Sequence, residues 1–174
     1  MIFLNREQFL QRLEDLKLPK KKYVVIAGGA MLLHGLRTDT RDVDVSVDHD
    51  LFQKILKNKH KFGSIELKSP VYRAAGFKQH EIIKVADDVE ISSGGRSLIC
   101  GTPVEIDGHL VQSIRDIHSF KTKLNRPKDQ PDLKVLKAAM DKENRLHPKP
   151  KEVRKEHEYE KRKTPRGVYR IGKF

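Results

Sequence analysis

The stretch that decides the fold runs from residue 25 to residue 48 and reads VIAGGAMLLHGLRTDTRDVDVSVD. An apolar run ends at Gly28-Gly29, a short apolar helical pattern follows, and Asp42 and Asp44 then alternate with valine. Alternation with period two is typical of a strand with one buried face, so the two carboxylates leave the same face. The order predicts a strand, a glycine turn, a helix and an acidic strand.

These features also suggest chemistry. Two carboxylates held so close repel each other unless a cation neutralises them. Mg²⁺ prefers oxygen ligands, and it commonly takes one or two carboxylates and completes its shell with substrate phosphates. Gly28 and Gly29 allow the backbone to approach a ligand, and the amides that begin a helix favour a phosphate. Each feature alone is common in ordinary turns and polar strands, whereas the combination predicts a metal and nucleotide site.

Helical and strand patterns alternate over the body of the chain, residues 1–144. Apolar residues at helical spacing precede Pro19, which predicts a first helix that ends there. Further strand patterns cover residues 23–27, 42–47, 81–86 and 88–92, and further helical patterns cover 50–58, 113–124 and 129–142. The segment VEIDGHLV predicts a hairpin that turns at Asp107-Gly108. We therefore expect an α/β domain with a mixed β-sheet flanked by helices, C-terminal helices and a basic tail.

Composition limits the protein class and the compartment. The chain has 174 residues, a net charge of +12 and one cysteine, Cys100. One cysteine excludes an internal disulfide and is typical of a reducing compartment. No apolar run approaches membrane-spanning length, so we expect a soluble cytoplasmic protein without a membrane partner. The positive charge makes nucleic acid a natural partner.

The tail, residues 145–174, carries much of this charge. It contains 11 Lys/Arg and 4 Glu, which is +7 of the total +12. With few aliphatic residues it cannot bury much apolar surface, so we expect it to be partly disordered or helical. It is either a solvated tail or an electrostatic arm for phosphate backbones, and the two interpretations are compatible. The predicted nucleic-acid-binding residues of the tail are Lys161, Arg162, Lys163, Arg166 and Arg170.

The opening motif resembles the nucleotidyltransferase fold superfamily, which shares a Gly-Gly and Asp-x-Asp signature. It is similar to small bacterial, archaeal and phage nucleotidyltransferases, including those related to abortive-infection toxins. The matching positions are Gly28, Gly29, Ala30, Gly35, Arg37, Thr40, Asp42 and Asp44. A second match lies within residues 113–136, where Lys121, Arg126, Lys128, Asp129, Asp132 and Leu133 resemble the closing segment of the family. The resemblance covers about residues 20 to 140.

This resemblance implies Mg²⁺- or Mn²⁺-dependent transfer of a nucleoside monophosphate from a nucleoside triphosphate to an acceptor hydroxyl. It also implies that Asp42 and Asp44 bind the metal, and that a third carboxylate on a neighbouring strand completes the metal site or acts as the general base for the acceptor hydroxyl. We favour Glu90 as the third carboxylate, because apolar residues flank it as they flank Asp44, and Asp88 ranks second. An aspartate is more usual at this position of the superfamily, and a solvated edge-strand acid is the structural alternative.

The same resemblance implies a set of nucleotide-binding residues. Gly28 and Gly29 would hold the β- and γ-phosphates, and Thr40 belongs to the same signature. Lys121 would neutralise phosphate with help from Arg126 or Lys128, whereas Arg37 would either face the nucleotide or pair with an acid near the site. A structural alternative is that the charged residues at 126–132 cap and pair the closing helices, with Asp129 as an N-cap.

Two function classes follow. The first is an active nucleotidyltransferase whose acceptor is RNA, with tRNA the favoured class, or a protein; an antitoxin partner is then conceivable. The second is a non-catalytic nucleic-acid-binding module that retains the fold. The presence of both Asp42 and Asp44 favours the enzyme, and the basic tail favours RNA as the acceptor.

Overall fold

The structure is a computed structural model that describes residues 3–58, 61, 66–68, 81–94 and 101–146. Seven strands form one mixed sheet in the order β3-β4-β5-β2-β1-β7-β6. The strands are β1 (Tyr23–Val25), β2 (Val43–Val47), β3 (Glu66–Lys68), β4 (Ile82–Ala86), β5 (Val89–Ser93), β6 (Val104–Ile106) and β7 (His109–Val111). The β2–β5 and β1–β7 pairs are parallel, and the other pairs are antiparallel. The fold is therefore α/β with a mixed sheet.

Five α-helices accompany this sheet in the described part of the chain. They are α1 (Arg6–Asp15), α2 (Ala27–Leu33), α3 (His49–Lys57), α4 (Ile114–Leu124) and α5 (Gln130–Leu146), with short 3-10 helices at Lys20–Lys22 and Pro127–Asp129. Asn5, Asp48 and Ser113 cap α1, α3 and α4, each accepting a hydrogen bond from a backbone amide three residues on. Such caps satisfy amides that lack a partner within the helix. None of these helices combines the length and apolar content needed to span a membrane.

The main hydrophobic core lies on one face of the central strands. Val43, Val45 and Val47 of β2 are fully buried there, and Phe9 of α1 and Phe52 of α3 pack in the same cluster. The alternating pattern of β2 therefore directs its valines into this core and leaves Asp44 on the opposite face. The opposite face carries the candidate site.

Most predicted elements are confirmed within one to four residues at their ends. At the β6–β7 hairpin, Asp107 and Gly108 have φ angles of 51° and 74°. Two successive left-handed residues are what a tight type I′ turn requires. The short strand β3 was not predicted, because three residues show no periodicity of their own.

One predicted boundary falls inside a helix, and one group of predicted residues lies outside the part of the chain that the structure describes. Helix α5 continues to Leu146, so the predicted boundary at residue 144 falls inside a helix. The predicted tail residues Lys161, Arg162, Lys163, Arg166 and Arg170 lie outside the described residues.

The predicted glycine turn is also wrong in detail. Helix α2 begins at Ala27, which places Gly28 and Gly29 within its first turn rather than before it. The residue that takes the left-handed conformation is Ala27, with a φ of 54°. A side chain is disfavoured there by about 1–2 kcal/mol. The sharp change from strand to helix therefore occurs one residue earlier than the glycine pair suggested.

Candidate active site

Two acidic side chains lie next to each other at the centre of the sheet. Asp44 of β2 is in register with Glu90 of the parallel strand β5. Neighbouring strands lie about 4.8 Å apart, so side chains in register on the same face are close. Asp42 is two residues before Asp44 and is exposed, whereas Asp44 and Glu90 are half-buried.

These three carboxylates line a cavity of about 650 Å³. The volume lies within the usual range for small-molecule sites. Most of the predicted nucleotide-binding residues line the same cavity, namely Gly28, Arg37, Thr40, Lys121, Arg126 and Lys128. Residues from two motifs about 80 positions apart in the sequence thus meet in one space. Asp44 and Glu90 also border a second space of about 30 Å³ beside Ile82 and Ser92.

Mg²⁺ fits the donor set at this site, because carboxylate oxygens are the ligands that it prefers. Within the described ranges, however, no three His, Cys, Asp or Glu side chains form a group that could enclose a metal ion. Mg²⁺ needs only one or two carboxylates where phosphates and waters complete its shell. Asp44 with Glu90 or Asp42 would hold Mg²⁺ or Mn²⁺ in this way, and the three-carboxylate site stays a prediction.

The structure places Asp88 outside the cavity. Its carboxylate accepts two hydrogen bonds from Arg12 of α1, at 2.9 and 2.8 Å, and its carbonyl oxygen accepts one from the Val43 amide at 2.6 Å. The hydrogen bond from Arg12 holds the pKa of the Asp88 carboxyl below its usual value. Asp88 lies in the β4–β5 turn, so it does not share the position of Glu90. Its geometry is that of a structural acid.

The cationic wall of the cavity is a buried ion-pair network. Lys121 Nζ lies 2.8 Å from Asp129 Oδ1 and 2.8 Å from Asp132 Oδ2. Arg126 Nε donates to Asp129 at 2.6 Å, and Arg37 donates to both oxygens of Asp132 at 2.7 and 2.8 Å. The network joins three cations to two carboxylates, which leaves one net positive charge beside the cavity.

This network changes the interpretation of the second motif. The sequence predicted that Lys121 neutralises phosphate with help from Arg126 or Lys128, whereas its side chain is only 7% exposed and is held between two aspartates. Asp129 pairs with Lys121 and Arg126 and does not cap α5 through its side chain, because a 3-10 helix leads directly into α5. Of the two alternatives open for Arg37, the structure shows pairing with an acid beside the site.

The two network aspartates have lowered pKa values. Burial raises the pKa of the Asp129 carboxyl, but the hydrogen bonds from Arg126 and Lys121 outweigh burial and place it below its usual value. Burial likewise raises the pKa of the Asp132 carboxyl, but the hydrogen bonds from Lys121 and Arg37 outweigh burial and place it below its usual value. Both groups are therefore ionised at neutral pH, which keeps the wall of the cavity charged and fixed.

The two glycines of the signature have different surroundings. A Cβ on Gly28 would lie 2.8 Å from Thr40 Oγ1 and 3.4 Å from Arg37 Nη1, so Gly28 permits close packing at the cavity. A Cβ on Gly29 would lie 2.3 Å from Cζ of Phe9. Gly29 is buried against α1 and does not line the cavity. The structure thus assigns Gly29 to packing between helices rather than to a nucleotide.

Sequence reasoning missed Gln112, which organises the start of α2. Its side-chain oxygen accepts a hydrogen bond from the backbone amide of Ala27 at 3.2 Å. Its backbone amide donates to the carbonyl oxygen of Val25 at 2.9 Å. Its carbonyl oxygen also lies 2.9 Å from His34 Nε2, which gives His34 a structural role. No local pattern marks Gln112, because its partners are more than 75 residues away.

No family model, curated protein or solved structure matches the chain.

Proposed function

We propose that the protein is a Mg²⁺-dependent nucleotidyltransferase that moves a nucleoside monophosphate from a nucleoside triphosphate to an acceptor hydroxyl. One observation supports this proposal above the others. Asp44 and Glu90, in register on parallel strands, face a cavity whose other wall carries arginine and lysine side chains. Carboxylates opposite cations suit a metal-bound triphosphate, whose charge both groups must balance.

Each wall of the cavity would have its own task. Asp44 and Asp42 or Glu90 would hold the metal, which on binding neutralises charge on the phosphates and aligns them for in-line attack. Glu90 is half-buried beside Asp44 and is our choice to accept the proton of the attacking hydroxyl. Arg126 and Lys128 would contact the phosphates, while the pairs within the network keep Lys121 and Arg37 in position.

The positive charge of the chain favours RNA as the acceptor, and we propose tRNA as the favoured class of RNA. Protein is the other acceptor class. The net charge is +12, and cations of the tail supply more than half of it. A polyanion would bind such a chain strongly and in a salt-dependent manner.

The test is a transfer assay with Mg²⁺, each of the four α-labelled nucleoside triphosphates and total cellular RNA. We expect Glu90→Gln to lower transfer by at least about 100-fold, the usual magnitude for loss of an acid–base group. Asp44→Asn should lower transfer at least as much, because it removes a carboxylate that would hold the metal. Asp88→Asn is the matched control, because Asp88 is an acid two residues from Glu90 that lies outside the cavity. It should retain transfer.

The outcomes separate the two function classes. Label on RNA or protein with the wild type and the control, but not with the two cavity variants, supports the enzyme and identifies the nucleotide. Absence of label with every protein, together with equal RNA retention by all of them, contradicts the enzyme for these acceptors. That result favours a nucleic-acid-binding module.

A further inference from the structure

The segment before α1 is held in place on both sides. The amide of Leu4 donates to the Thr40 carbonyl oxygen at 2.7 Å, and the amide of Thr40 donates to the Leu4 carbonyl oxygen at 3.0 Å. Asn5 caps α1 through a reciprocal pair of hydrogen bonds with Gln8, each 3.0 Å long. The backbone next to Phe3 is therefore fixed by the Leu4–Thr40 pair and by the capping box of α1.

This arrangement directs Phe3 away from the core. Leu4 packs against the main hydrophobic cluster, and the neighbouring side chain in an extended segment points the opposite way. Phe3 is accordingly 49% exposed, and it lines the same cavity as Asp44 and Glu90. Phe3 is therefore available to contact a ligand in this cavity.

Arg41 lies over one face of the Phe3 ring. Its guanidinium carbon lies 5.0 Å from the centre of the Phe3 ring, within the range of a cation–π contact. Aromatic rings and stacked guanidinium planes are the side-chain surfaces on which nucleobases stack. Arg41 also lines the cavity and adjoins Asp42, so this surface adjoins the carboxylates of the proposed metal site.

We propose that Phe3, together with Arg41, is the stacking platform for the base of the bound nucleoside triphosphate. This inference rests on the proposed function and adds the recognition of the base to it. Stacking accepts every base, because each has a π-face, so the platform provides affinity without selecting one nucleotide.

The chain contains no tryptophan, which allows a direct test of stacking. In a Phe3→Trp variant, the new indole would be the only one in the protein. We expect each of the four Mg²⁺–nucleoside triphosphates to quench its fluorescence, whereas Mg²⁺–tripolyphosphate, which has no base, should bind without quenching. Val135→Trp is the matched control, because Val135 is 42% exposed on α5 and does not line the cavity.

Affinity measurements provide the second part of the test. We expect Phe3→Ala and Phe3→Leu to weaken nucleoside triphosphate binding about tenfold, and Phe3→Tyr to retain it, since only the aromatic ring stacks. Tripolyphosphate affinity should stay unchanged in all three variants. Isothermal titration calorimetry measures both ligands on the full chain.

Two results would overturn the inference while leaving the proposed function intact. One is unchanged nucleotide affinity in Phe3→Ala; the other is an equal loss for nucleotide and tripolyphosphate, which would mean that Phe3 only shapes the cavity. Failure of the wild type to bind either ligand would instead reject the proposed function, and the platform with it.

Discussion

Gly29 shows how one position of a sequence signature can serve packing rather than a ligand. It lies in α2 directly beneath the ring of Phe9, and an added methyl group would overlap that ring. Gly28, one residue earlier, faces Thr40 and Arg37 at the cavity instead. The two glycines look equivalent in the sequence, and only the position of α1 distinguishes them.

Gly29→Ala should therefore destabilise the fold. Alanine favours a helix over glycine by about 1 kcal/mol, but overpacking against a buried ring costs about 1–3 kcal/mol. Because the methyl group of alanine would overlap the fully buried ring of Phe9, we expect the clash to prevail and to lower the free energy of unfolding by about 1–2 kcal/mol. Urea unfolding measures the change. Adding Phe9→Leu should recover part of the loss; strict additivity of the two substitutions would contradict the packing argument.

Asp88 and Glu90 are two residues apart, yet the structure gives them separate roles. Arg12 holds Asp88 and thereby ties α1 to the β4–β5 turn. Both side chains are about a third exposed, so we expect Asp88→Asn to lower the free energy of unfolding by only about 0.5–1 kcal/mol. Arg12→Gln should lower it by a similar amount, as thermal or urea unfolding would show. A large loss of nucleotide affinity in either variant would instead place Asp88 in the site.

At the scale of elements, α4 and α5 are joined through charges as well as through apolar contact. Lys121 of α4 lies between Asp129, just before α5, and Asp132 in its first turn. The two carboxylates are almost fully buried, with exposed fractions of 3% and 9%. Buried ions that lose a partner are costly, so the network fixes how the two helices meet.

The network gives stability a defined pH dependence. Both aspartates have lowered pKa values in the fold, so their contribution is complete above their unfolded pKa of about 3.9 and is lost as the pH falls through the lowered values. Asp132→Asn should cost about 3 kcal/mol at pH 7, because it leaves buried cations with fewer partners. Urea unfolding at pH 7 and at successively lower pH should show a difference between variant and wild type that shrinks once the pH falls below about 3.9. A difference that is independent of pH would contradict the argument.

Local patterns predicted the elements well and their partners poorly. Periodicity placed five helices and most strands, and the Asp107-Gly108 pair specified a turn through its own conformational preference. Strand β3 has three residues and exists through its pairing with β4, a contact that no local pattern encodes. Helix α2 begins at Ala27, earlier than predicted, where the side chain of the distant Gln112 accepts a hydrogen bond from the backbone amide.

At the scale of the whole molecule, the sequence predicted the members of the site better than their roles. Three carboxylates and six other predicted residues line one cavity. Arg37 and Lys121, however, have their charges balanced by Asp132 and Asp129, which spacing alone could not show. Phe3 was missed because a lone N-terminal aromatic residue carries no motif.

The charge of the tail predicts how RNA binding depends on salt. Replacing the five cations predicted to bind nucleic acid with glutamine, in the full chain, should weaken RNA binding and leave nucleoside triphosphate affinity unchanged. If all five contact phosphates of single-stranded RNA, the negative slope of log affinity against log salt concentration should become shallower by about 3.5. Filter binding across a salt series measures it. An unchanged slope would show that the tail does not contact the backbone. The five are Lys161, Arg162, Lys163, Arg166 and Arg170.

The pairing of Arg37 with Asp132 has a consequence during synthesis on the ribosome. The two residues are 95 positions apart, and the later one lies in the last described helix. When β2 and β5 have left the ribosome, the nascent chain still lacks α5. One wall of the cavity therefore cannot form until α5 has left the exit tunnel. The site is therefore complete only after α5 has been synthesised, and a product of premature termination before residue 132 would carry the carboxylates without the partner that fixes Arg37.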